Sequence, residues 1–94
     1  MKRIVLNGRR MKDIAGTHCY LQRKCKFPDY YGKNLDALHD CLTEIGQDTR
    51  IILLNSEAAK QNLGEYADGL FSVLEDSFAE NRHLTISIRT GWHQ

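Results

Sequence analysis

The chain predicts a small α/β domain: a three-stranded parallel sheet packed with about four helices. Two observations carry this. Three short apolar runs with strand character (Ile4–Leu6, Arg50–Leu54, Leu84–Ile88) are spread along the chain. Long segments of helical periodicity separate them, and strands joined through helices make crossover connections, hence a parallel sheet. The 94 residues form one domain, 1–94, with a single modest core.

Ile4-Val5-Leu6, closed by Asn7-Gly8, reads as the first strand. Asp13 can cap a helix to about Cys25, with Ile14, His18, Leu21 and Cys25 as its apolar stripe. Phe27-Pro28-Asp29-Tyr30-Tyr31-Gly32 breaks that pattern. Pro28 disfavours helix before it, and Gly32 permits positive φ. Asn34 caps a second helix to about Ile45, stopped by Gly46. Arg50–Leu54 holds four consecutive apolar residues, which predicts a strand covered on both faces. Ser56 caps a short helix to about Leu63. A longer helix runs from about Tyr66 to Asn81, and Leu84–Ile88 alternates as the last strand. The end, from Arg89 to Gln94, reads as a frayed tail unless Trp92 folds back.

Composition excludes several classes. Charged residues make up 27% and apolar residues 41%, a globular balance and not a disordered one. No apolar run approaches the ~20 residues of a membrane span. Ile4–Leu6 behind Met1-Lys2-Arg3 is too short for an export signal, so the expected location is cytoplasmic. Cys19, Cys25 and Cys41 are an odd number without a CxxC. All three read as reduced, with Cys41 as a small core residue. The net charge of +1 conceals a split. Residues 1–26 carry eight Lys/Arg against one acid, +7; the remainder carries five against eleven, −6. Such polarity speaks about partners.

The sharpest signal lies on the second helix. Leu35, Leu38 and Leu42, with Cys41 and Ile45, share one stripe, while Asp36, Asp40 and Thr43 lie opposite at i, i+4 and i+7. Two carboxylates a turn apart repel, so helix stability does not ask for them. The longer helix repeats the theme. Its stripe is Ala67, Leu70, Phe71, Leu74 and Phe78, and Asp76 and Glu80 form a doublet beside an exposed Val73. Taken alone, such a doublet is more often a solvated face; two of them raise the odds of a contact surface. Tyr30 and Tyr31, just before the acidic helix, are rigid amphipathic anchors, and at least one is expected to pack under its loop.

The segment from Phe27 to Thr43, FPDYYGKNLDALHDCLT, resembles the signature of the barstar family, P-[DE]-Y-Y-G-x-N-L-D-A-L-x-D-C-L-T. The resemblance extends to the chain length, to Asn7-Gly8, to His18 in the first helix, and to the close from Ala79-Glu80 through Leu84-Thr85-Ile86. It covers nearly the whole chain.

That family consists of intracellular inhibitors of barnase-type secreted ribonucleases. The resemblance therefore implies a protein inhibitor and no enzyme, without cofactor or metal, acting as a monomer on a barnase-like ribonuclease. Asp40 would enter the pocket of the scissile phosphate, and Asp36 would pair with flanking cations. Tyr30, Tyr31 and Gly32 would pack on the active-site rim, with Asn34, Thr43 and Gly46 around them. Asp76 and Glu80 match acidic positions of the fourth helix, Glu80 at the periphery. One departure stands out: His39 occupies a position that is usually tryptophan.

Other constellations are weaker. His18, Cys19 and Cys25, or His39 and Cys41, lack zinc-ligand spacing, and His18 reads as a hydrogen-bonded core residue. Cys41 falls on the leucine side, away from any nucleophile role. Asp36 and Asp40 on one exposed helix offer no cleft for acid–base work. No GxGxxG and no P-loop occur. The competing reading is an RNA-associated or adaptor protein that binds through the basic N-terminal segment, against which the acidic doublets would repel phosphate.

Overall fold

In the computed structural model, which describes residues 1–91, the predicted order of elements is realised. It runs β1 (Lys2–Asn7), α1 (Ile14–Cys25), α2 (Leu35–Thr43), β2 (Thr49–Leu54), α3 (Ser56–Leu63), α4 (Glu65–Glu80) and β3 (Leu84–Ile88), with one 3-10 turn at Gly8–Arg10. The three strands are parallel in the spatial order β1-β2-β3. Ile4 pairs with Ile51 and Leu6 with Leu53, and Ile51 faces Ile86 on the other side.

Both crossovers step the same way across the sheet. Right-handed crossovers of that kind put all their helices on one face. Ile4, Leu6, Ile51, Leu53, Leu84 and Ile86 point to that face and join Leu21, Leu38, Leu42, Leu70 and Leu74 in the core. This corrects the expectation of a sheet covered twice. On the other face Val5 is 42% exposed and Arg50, Leu54, Thr85 and Ser87 are half-buried; Ile52 alone there is fully buried. The apolar run of β2 reflects its central position in the sheet.

Local chemistry sets the helix ends. Asp13 caps α1 by accepting from the Gly16 N–H at 2.6 Å. Lys26, in the left-handed region at φ 56°, closes α1. Ile14, expected in the stripe, is 47% exposed, while Thr17 and Tyr20 take its place inside. Ser56 does not cap α3. The cap position is Asn55, whose side chain makes no capping bond, and carbonyls of Arg89, Thr90 and Gly91 accept from the N–H groups of Ser56, Glu57 and Asn55. Residues 89–91 are thus tied down and not frayed; Trp92 lies outside the described residues. On α4 the buried position is Ser77 and not Phe78, which is 45% exposed. Gly8 has a structural duty of its own: a Cβ there would collide with the backbone carbonyl of Asn55.

Candidate functional site

The loop before α2 is built from the core outward. Tyr31 is buried, and its hydroxyl lies 2.7 Å from Nδ1 of the fully buried His18. The Tyr66 hydroxyl lies 2.6 Å from His18 Nε2. A neutral imidazole suits this pair, since one ring nitrogen donates, the other accepts, and each hydroxyl can do either. Burial lowers the His18 pKa and so favours that neutral form. Burial likewise raises the pKa of Tyr31, so its hydroxyl keeps its proton. Phe27 packs on Tyr31 with ring centroids 5.0 Å apart.

Tyr31, expected on the contact surface, is nearly enclosed and holds the loop while lining the concavity beside Asp40; Tyr30, 83% exposed, is the side chain presented. Gly32 does not adopt positive φ. Lys33 does, at φ 55°. Gly32 serves by its size, because a Cβ there would stand 3.2 Å from that of Ala37.

Asn34 then caps α2, its side-chain oxygen accepting from the Ala37 N–H at 2.7 Å. Leu38 and Leu42 are fully buried, which turns Asp36 and Asp40 outward. Thr43 is half-buried and folds its hydroxyl back to the carbonyls of His39 (2.9 Å) and Asp40 (3.1 Å). Gly46 is not the stop, since α2 ends at Thr43 with Glu44 as its cap. Asn81, at the end of α4, donates its side-chain N–H groups to the carbonyls of Leu42 and Ile45 at 2.9 Å each. Sequence reasoning missed Asn81, because its partners lie 36 to 39 residues away.

α2 rests on α4. A Cβ at Gly69 would stand 3.0 Å from a Leu35 methyl, so that glycine allows the close approach. Val73, expected to be exposed, is half-buried against the core. Asp76 and Glu80 are exposed. His39 joins the two doublets, with Nε2 2.8 Å from a Glu80 carboxylate oxygen and Nδ1 3.9 Å from Asp40. The hydrogen bond to Glu80 raises the His39 pKa against a smaller opposing effect of desolvation, and the Glu80, Asp40 and Asp76 charges add to the rise.

Beside this face, Tyr30, Gly32, Ala37, Asp40, Cys41 and Glu44 line a concavity of about 360 Å³. Cys41, expected in the core, is half-buried and packs against its edge, while Cys25 is buried with its thiol pushed up to about 12, burial being the main cause. All three cysteines are free.

The candidate site therefore groups four carboxylates on two adjacent helices, with an exposed tyrosine at one side. Among the described residues no group of three or more His, Cys, Asp or Glu is placed to hold a metal ion. No helix among them is long and apolar enough to cross a membrane.

Residues 1–90 match the family described as Barstar (barnase inhibitor). A protein of Bacillus subtilis (strain 168) named "Putative ribonuclease inhibitor YrdF" is 41% identical over 81 residues, which covers 85% of this chain and 89% of that protein.

Proposed function

The chain belongs to the barstar family of barnase inhibitors, and from that premise we propose that it blocks a barnase-like ribonuclease with the acidic face of α2 and α4. It is an inhibitor and not an enzyme. The observation that carries the mechanism is the joining of two acidic doublets into one surface through His39 and Glu80. An enzyme that binds RNA must present cations to phosphate, and carboxylates on rigid helices can occupy the same cations. Asp40 takes the central role. It is 77% exposed and lies between the Tyr30 concavity and His39. Asp36 meets flanking cations from the first turn of α2, and Asp76 extends the contact from α4. Tyr30 covers the rim of the enzyme's site, and the backbone at Gly32 lets the two surfaces approach.

The test is a titration of barnase activity with the wild type and with Asp36→Ala, Asp40→Ala, Asp76→Ala and Glu80→Ala. Stoichiometric inhibition is expected, with Asp40→Ala weakened most. If Asp40→Ala inhibits as the wild type does, the phosphate-mimic role is wrong.

A further inference from the structure

We propose that His39 selects the partner's cations by holding Glu80 within the chain, so that the acidic face offers Asp36, Asp40 and Asp76 freely and Glu80 only after an internal bond is broken. This inference rests on the inhibitor reading above and adds a determinant of specificity to it.

The His39 Nε2–H donates to Glu80 at 2.8 Å, a charge-assisted distance, across the seam between α2 and α4. Its other nitrogen stands 3.9 Å from Asp40, beyond hydrogen-bonding reach but close enough for attraction. The charges that act on the ring are acidic: Asp40 at i+1 on α2, and Asp76 and Glu80 on α4. The imidazole is one-third exposed, and Glu80 is 55% exposed. The pair is therefore on the contact surface and not beneath it.

Two consequences follow for a docking partner. A lysine or arginine placed opposite Glu80 competes with the imidazole already there, and meets a positive charge whenever the ring is protonated. When the ring is protonated, a carbonyl or carboxylate placed opposite His39 can accept from Nδ1–H as well. The face thus favours a ribonuclease whose cations gather over Asp36, Asp40 and Asp76 and whose surface near His39 is an acceptor.

Two measurements test this, one without any partner. NMR titration of the His39 ring in the free wild type and in Glu80→Gln should show a lower midpoint in the variant. An unchanged midpoint overturns the proposal. The second is a double-mutant cycle of dissociation constants for barnase with the wild type, Glu80→Gln, His39→Gln and the double variant. Glu80→Gln should cost less than about twofold in the wild type and roughly fivefold or more beside His39→Gln, where Glu80 is free to meet a cation. Equal costs in the two backgrounds overturn the proposal even where the NMR shift is present. A wild-type chain that leaves barnase fully active overturns the inhibitor reading and the selection of cations together. The NMR arm separates those failures, because it reports the pair whether or not the partner is right.

Discussion

His18 and His39 show how one residue type takes opposite duties from its surroundings. His18 is fully enclosed and bonded to two tyrosine hydroxyls, and burial lowers its pKa. The unfolded chain therefore binds a proton at His18 that the folded chain refuses. That costs stability as pH falls below about 6.5, the ordinary value. His39 has its pKa raised, first by the hydrogen bond to Glu80. Its contribution is full below about 6.5 and is lost as pH rises through the higher folded value. The two slopes oppose each other. His39→Gln removes one and exposes the other, so its stability should fall more steeply between about pH 7.5 and 5.5 than that of the wild type. Urea unfolding at both pH values checks this, and parallel losses would contradict it. Tyr31→Phe tests the buried side of the pair. It leaves a His18 nitrogen without its partner, which should cost about 1–3 kcal/mol and loosen the loop that carries Tyr30.

Helices and strands were legible because each carries its own signal. Asp13 and Asn34 cap as their positions in the sequence imply, and β3 has the predicted bounds. What escaped depends on partners distant in sequence. The one-sided sheet follows from strand order, which no single strand records. Ser77 and Phe78 stand at i+3 and i+4 from Leu74, both spacings that continue an apolar stripe, and only the packed helix decides which turns inward. The acidic doublets and Tyr30 could be read locally; the contact of His39 with Glu80 spans 41 residues and could not. The same holds for Asn81, which is buried and serves carbonyls at the end of α2. Asn81→Ala strips the carbonyls of Leu42 and Ile45 of their side-chain donor. A loss of about 1–3 kcal/mol in chemical denaturation is expected. Weaker ribonuclease inhibition should accompany it, since the helix that presents Asp40 loses its C-terminal tether. A variant with full stability and full inhibition would show that α2 is held by its leucines alone.

At the scale of the whole molecule, the split of charge along the chain becomes a split between elements. The basic side chains of residues 1–26 lie on β1, the 3-10 turn and α1 and just beyond it, while the acidic doublets lie on α2 and α4. The basic side offers little to RNA bases. Arg10, Lys12 and Arg23 border a concavity of about 350 Å³, but its aromatic residue, Tyr20, is buried with the Arg23 guanidinium 5.5 Å from its ring centroid. No base can stack there, so any RNA retained in a filter-binding assay should be lost with modest salt, as phosphate contacts are. On the acidic side the salt dependence falls on the rate of association. Exposed carboxylates attract a cationic enzyme before contact, and this attraction is screened over a Debye length of about 10 Å at 0.1 M salt. Contacts formed after docking exclude solvent ions and are screened less. Stopped-flow mixing with barnase should therefore show an on-rate that falls steeply with ionic strength and an off-rate that changes less. Asp36→Asn combined with Asp76→Asn should flatten the salt dependence of the on-rate. A wild-type on-rate that does not respond to salt would mean that the acidic face acts only at contact and does not steer.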